Sequence, residues 1–389
     1  MKIVHFLNSS GHAGDAQVAL LVAKQQRIIG HDARIIIEQS RNSALFLARA
    51  RSEGVPALEA SALSYDVDSP TPKRALEFWK VLIKYPNVIL HMHTGRPLVR
   101  TADVLAARML PLKARVATVH APSDWSTYDD PEGRKKTWRR ASVGLDLVLC
   151  PSSYSRKLQL EAGLPPAKVR VQPNPVDIEQ IKKGDRGATR QQLGLSESDL
   201  LVLFLARLDD DKNPVDAIHG FSAITSKFPN AILALAGSGN QESACLRAVE
   251  ELHLTQKVRL LGYRTDTANL LQAADIYLLP TKWENLSMSL LEAMAASLPI
   301  ITTPVGGNLE LVQAEETALF TRVGDTASIS GALDRLLGDK DLRHSLGKRA
   351  YEAAQRFSLP TIAHQHIALY QSIIPTSPIK PGMQKTDYN

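Results

Sequence analysis

Short apolar runs alternating with stretches of helical length constrain this chain more than any other feature. The first series is IVHFL (3–7), ARIIIE (33–38), NVILHMH (87–93), ARVATVH (114–120), DLVLCPS (146–152) and KVRVQP (168–173). A second begins near residue 200: LLVLFLARL (200–208), AILALAGSG (231–239), KVRLLGY (257–263), DIYLLPT (275–281), PIITTPV (299–305) and ALFTRV (318–323). Most are rich in Val, Ile or Leu and bounded by turn residues, as expected of strands buried on both faces of a parallel sheet. Two separate series predict two doubly wound α/β domains in tandem rather than one eightfold barrel. Ligands of such sheets bind beyond the carboxyl ends of the strands, so the strand-end residues are the ones to read for chemistry.

The length of 389 residues accommodates about two domains, each with its own core. A hydrophobic fraction of 44% with 22% charged residues excludes disorder and fibrous repeats. No apolar stretch reaches the roughly 18 residues that span a bilayer, and MKIVHFLNSSGHAGDA reads as a strand entering a glycine turn rather than a secretory signal. Cys150 and Cys245 are too few for a disulfide framework or a zinc site. The expectation is a cytoplasmic protein. Residues 1–177 hold 25 Lys/Arg against 16 Asp/Glu, whereas residues 178–389 hold 21 against 24. The basic front half suits an anionic partner, a phosphate-bearing substrate or the inner face of a membrane, as well as plain solvation. The connector QPNPVDIEQIKKGDRGATRQQLG (172–194) divides the chain into residues 1–177 and 178 onward, and the polar segment 376–389 reads as a frayed tail.

The strongest local signal is TKWENLSMSLLEAMAASLPIITTPVGG (281–307). Glu284 falls just beyond a strand, Ser287 suits the N-cap of the next helix, and Glu292 falls in that helix's second turn. A strand-end carboxylate can accept hydrogen bonds from vicinal hydroxyls, and one solvated acid plus one helix-entry acid is the plain alternative. Arg207 and Lys212 flank Asp209-Asp210-Asp211 after another strand. The two cations suit a diphosphate and would stabilise negative charge on a leaving phosphate. The aspartates read as solvated loop residues rather than as a metal site. In the front half, Gly11 and Gly14 permit a tight turn at a helix N-terminus, but the loop is not GxGxxG, which argues against a nicotinamide oxidoreductase. His91 and His93 have period-two spacing, point to one face and read as fold residues. The run RKKTWRR (134–140) puts five cations around a helix, where they suit an anionic acceptor or a phospholipid surface; no nucleic-acid module accompanies it.

Glu284, seven residues and Glu292, followed by AMAASLPIITTPVGGNLELV, closely resemble the E-x7-E signature of retaining family 4 glycosyltransferases with the GT-B fold. The resemblance runs in order through VLCPSSYSRKLQLEAG, VRVQPNPVD, FLARLDDDKNP, LALAGSG, VRLLGY, ADIYLLPT and VGGNLEL to RFSLPTIAHQHIALYQSII. It implies an acceptor-binding domain (1–177), a nucleotide-sugar domain (178–358) and a helix (359–375) crossing back onto the first domain. It also implies a hexosyltransferase-type enzyme that moves a sugar from a UDP- or GDP-sugar to a hydroxyl acceptor, with retained configuration and no cofactor or metal. ADP-sugars stay open as donors. In glycan, glycolipid or glycoconjugate biosynthesis the acceptor would be phosphorylated or lipid-linked.

By the same resemblance Arg207 and Lys212 contact the diphosphate, Glu284 and His120 the donor sugar, and Glu292 the ribose. Gly14, Gly237, Gly262, Tyr263 and the amides of Asn285, Leu286 and Ser287 complete the donor side. Asn285 stands where the family usually has glycine. Gly11, His12, Arg96 and Trp125 are the acceptor-side candidates. The competing readings are a silent GT-B subunit of a glycosylation complex and a sugar-nucleotide epimerase or phosphorylase of the same fold.

Overall fold

The computed structural model describes residues 1–9, 11, 14–64, 72–94, 101–121, 125 and 129–374. Seven parallel strands form the first sheet: β1 (Lys2–Asn8), β2 (Asp32–Gln39), β3 (Ala57–Ser64), β4 (Ile89–Thr94), β5 (Ala114–Val119), β6 (Leu147–Cys150) and β7 (Val169–Val171), in the order β3-β2-β1-β4-β5-β6-β7. Six of these are the apolar runs of the front half. The strand that periodicity misses is β3, ALEASALS, an edge strand of small and polar residues that needs only one buried face. The second sheet holds β8 (Leu200–Leu205), β9 (Ala231–Ala236), β10 (Val258–Gly262), β11 (Ile276–Leu279), β12 (Ile300–Thr302) and β13 (Ala318–Phe320), in the order β10-β9-β8-β11-β12-β13. Both are α/β sheets with helices between successive strands. Each order reverses beside its first strand, leaving a crevice at the carboxyl ends of β1/β4 and β8/β11.

Helices cover both faces of the first sheet. Val4, Phe6, Leu90, Phe78, Val104 and Trp138 pack on one face. On the other, Ile3, Leu7 and Ile89 meet Ala19 and Leu20 of the helix Gly14–Ile28 together with Ile367 and Tyr370 of the last described helix, Leu359–Ile373. That last helix follows the second domain in sequence but packs on the first. The chain crosses where Val176 N–H donates to the Phe357 carbonyl and Leu359 N–H to the Val176 carbonyl, both 2.9 Å. The two connections between the domains are thereby held side by side, and the carboxyl ends of the two sheets meet.

Candidate functional site

The second sheet presents its charged residues in the loops after β8 and β11. Lys212 Nζ lies 2.8 Å from Glu284 Oε1 and 3.1 Å from Asp211 Oδ2. Both Lys212 and Glu284 side chains are largely buried, so the pair is well shielded from solvent. Arg207 is exposed and is held by Asp209 and, at 3.2 Å, by Asp211. Asp209 also accepts from the Asn240 amide at 3.0 Å. Two of the aspartates therefore brace the cations, which corrects the expectation of a merely solvated acidic run. Gly237, at the end of β9, has φ +154°, and a β-carbon there would sit 1.8 Å from the Ala206 carbonyl oxygen. Only glycine allows the backbone beside Arg207 to close this tightly. Gly262 ends β10, the edge strand of this sheet, and Tyr263 beyond it is 57% exposed.

The loop carrying Glu284 is seated on a glycine pair that the sequence reading did not single out as functional. A β-carbon on Gly306 would meet the Glu284 carbonyl oxygen at 1.8 Å, and one on Gly307 the Asn285 carbonyl at 1.7 Å. Ser287 caps the helix Met288–Ala295 by accepting from Leu290 N–H, as expected. Among the described residues, none accepts from the backbone amides of Asn285, Leu286 or Ser287. These donors remain available where a helix begins. Glu292 is half-buried on that helix, and burial raises its pKa to about 7, with Arg49 of the first domain opposing the rise.

Asn285 itself spans the two domains. Its side-chain oxygen accepts from Ser152 Oγ at 2.8 Å, and its nitrogen donates to the His120 carbonyl at 2.8 Å and the Val119 carbonyl at 3.3 Å. Asn174 donates to the Leu286 carbonyl at 3.1 Å, and Glu310 accepts from the amides of Ser153 and Tyr154. Ser152, Asn174 and Glu310 were missed by sequence reasoning, because a contact between domains leaves no periodic trace. Asn285 drew notice only as a departure from glycine.

From the first domain, His120 follows β5 and is half-buried, with its pKa lowered to about 3 chiefly by burial. Gly14 opens the helix Gly14–Ile28, and a β-carbon there would lie 3.6 Å from Met288 Cγ across the cleft. Gly11 lies in the same turn, against Phe46. His91 and His93 are both buried, in line with their reading as fold residues. Trp125 is a correction. It is 4% exposed, packs in the core and spends its indole N–H on the Leu158 carbonyl at 3.0 Å, so it offers an acceptor little surface. His12, Arg96 and the tail 376–389 lie outside the described residues.

A cleft with cations and carboxylates on one wall and a strand-end histidine on the other is the arrangement the motifs implied. The family model "Glycosyl transferases group 1" matches residues 185–353, and "Glycosyltransferase Family 4" matches residues 14–180. The chain belongs to glycosyltransferase family 4. Among its relatives, N-acetyl-alpha-D-glucosaminyl L-malate synthase of Bacillus anthracis is 28% identical over 74% of this chain and 75% of that protein. UDP-Gal:alpha-D-GlcNAc-diphosphoundecaprenol alpha-1,3-galactosyltransferase of Escherichia coli is 28% identical over 69% and 71%. The fold matches that of Anabaena HepE, crystallised in complex with UDP, with a TM-score of 0.80 at 18% identity over 96% of this chain and all of that one. The two doubly wound domains are thus those of a GT-B glycosyltransferase.

The carboxyl of Glu292 yields a pH prediction. Its folded pKa of about 7 lies above the ordinary value of 4.5 for a glutamate, so the folded state binds the proton more tightly. Its contribution to stability is therefore expected to fall as pH rises from 4.5 through about 7. Thermal unfolding midpoints of Glu292→Gln and the parent, measured across that range, should diverge, with the variant gaining relative stability towards neutral pH.

Proposed function

We propose that this family 4 enzyme transfers a sugar from a nucleoside diphosphate sugar to a hydroxyl of a phosphorylated or lipid-linked acceptor, with retention of anomeric configuration and without a metal ion. The observation that carries the reading is the Lys212–Glu284 pair at 2.8 Å, with Arg207 held beside it. Arg207 and Lys212 bind the diphosphate and stabilise charge on the departing phosphate, an effect strengthened for Lys212 by its low exposure. Glu284 is freed towards sugar hydroxyls as the diphosphate draws Lys212, and the open amides of Asn285, Leu286 and Ser287 donate to the remaining oxygens. Glu292 takes the ribose and Gly14 leaves room for the donor at the facing wall.

Retention is assigned to a front-face displacement assisted by the leaving phosphate. In the metal-free reading, Asp209 and Asp211 serve to brace the cations that engage them. HepE with UDP-glucose and the Escherichia coli relative's lipid-linked acceptor, as their names give them, support the choice of donor and acceptor class.

Two measurements test this. In a screen of UDP, GDP, ADP and their sugars, the nucleotide family of the donor should raise the unfolding midpoint, reflecting about 2.7 kcal/mol of added stability at roughly a hundred times its dissociation constant, with EDTA making no difference. Lys212→Ala should lose about a hundredfold in turnover at saturating donor, the scale of removing one charge-stabilising donor. An unchanged turnover would overturn its role.

The acceptor class also points to where the enzyme works. No helix among the described residues is long and apolar enough to cross a membrane. Three neighbouring helices, Pro72–Leu82, Thr101–Arg108 and Pro131–Ser142, cover one face of the first sheet. Leu76, Leu105 and Met109 are 50%, 52% and 79% exposed there, among the exposed Lys73, Lys80, Arg108, Lys136 and Arg140. Exposed apolar side chains on helices that also carry exposed cations suit a cytoplasmic enzyme resting on an anionic phospholipid surface. Co-sedimentation with phosphatidylglycerol vesicles at low salt, lost in Leu105→Asp/Met109→Asp and absent with phosphatidylcholine, is the expected result. Equal sedimentation of parent and variant would contradict it.

A further inference from the structure

His120 is the outermost member of a row of imidazoles that runs from the cleft into the first domain. His120 Nε2 lies 3.0 Å from His93 Nδ1, His93 Nε2 lies 2.9 Å from His5 Nδ1, and His5 Nε2 lies 2.8 Å from Gln26 Oε1. His5 and His93 are fully or almost fully buried, as is Gln26. His91 stands beside them, with Nδ1 2.6 Å from the Tyr370 hydroxyl and Nε2 2.7 Å from Thr118 Oγ1. His5, His91 and His93 lie close enough together to suggest a metal site, but all six of their ring nitrogens already have hydrogen-bond partners.

The row has a direction. Burial lowers the pKa of His5 to about 4 and that of His120 to about 3, and lowers those of His91, His93 and His366 as well, so the rings are neutral at physiological pH. A neutral imidazole has one donor and one acceptor nitrogen. The Gln26 carbonyl oxygen only accepts, so His5 Nε2 carries the hydrogen and His5 Nδ1 is a lone pair. His93 Nε2 must then donate to His5, which leaves His93 Nδ1 as the acceptor for His120 Nε2–H. The nitrogen left over, His120 Nδ1, is an acceptor. Gln26 places its carbonyl oxygen Oε1 towards His5, and its buried Nε2 has no hydrogen-bond partner among the described residues.

We infer that Gln26, His5 and His93 are positioning residues that lock His120 in its Nε2–H tautomer, so that the cleft receives the lone pair of Nδ1 and His120 accepts a hydrogen bond from a donor-sugar hydroxyl. This rests on the donor reading above and deepens it, since the site then selects a hydroxyl at that sugar position over a group that only accepts.

Long-range proton–nitrogen correlation spectra of the full chain labelled with ¹⁵N-histidine test this directly, with His120→Gln assigning the cleft ring. The expected result is neutral His5, His93 and His120, each protonated at Nε2. A hydrogen on His120 Nδ1, or a charged ring there, overturns the inference. In Gln26→Leu, the His120 signals should show mixed tautomers, and the KM for the nucleotide sugar should rise severalfold while affinity for the nucleotide alone holds. Gln26→Glu, which keeps an acceptor towards His5, should restore the single tautomer. An unmixed Nε2–H tautomer in Gln26→Leu would also overturn the inference. Failure of the donor reading would show separately, as a parent chain that binds no nucleotide, and the ring spectra of the parent decide the tautomer in either case.

Discussion

The side chain of Asn285 joins the two sheets where their carboxyl ends meet. One amide accepts from Ser152 and donates to the backbone carbonyls of Val119 and His120. Those residues end β5 and follow β6, whereas Asn285 follows β11, so strand ends of both domains are fixed against one another. Buried hydrogen bonds of this kind contribute about 1 kcal/mol each, and leaving any partner unmatched costs more. The neighbouring residue, Glu284, is thereby held on one wall of the cleft with His120 on the other. A glycine at position 285 would offer no such bridge.

Around that bridge, charge is arranged so that the resting site is neutralised from within. Lys212 is shared by Glu284 and Asp211, and Arg207 by Asp209 and Asp211. Under the proposed function, cations held this way need not reorganise far to meet a diphosphate, which is the advantage of a preorganised site. The same carboxylates raise the cost of leaving the cations unpaired, so an anionic ligand has to replace interactions rather than merely add them. On the facing wall the polar groups are neutral instead, with burial keeping the imidazoles uncharged and their direction set by Gln26.

Much of this was legible in the sequence, and the exceptions share a physical cause. Strands buried on both faces announce themselves as apolar runs, so twelve of the thirteen were readable and only the edge strand Ala57–Ser64 was not. Arg207 with Lys212, and Glu284 with Glu292, could be singled out because each pair's spacing is local to one strand-loop-helix unit, after β8 and after β11. Ser152, Asn174 and Glu310 act across the domain boundary, and nothing within one domain's sequence marks them. His5 sits in an apolar run where a single histidine breaks no pattern, yet it carries the row that ends at His120. Trp125, one of the acceptor-side candidates, instead places its ring in the core.

The central claim is that the Asn285 bridge, and not the nucleotide-binding wall alone, creates the sugar site. Calorimetric titration of the parent and of Asn285→Ala with the nucleotide and with its sugar conjugate tests it most directly. Both proteins should bind the nucleotide with affinities within about twofold, since Arg207, Lys212 and Glu292 all belong to the second domain. The added affinity that the sugar brings should disappear in the variant, because His120 is no longer held opposite Glu284. An Asn285→Ala protein that keeps the parent's preference for the sugar conjugate would contradict the account.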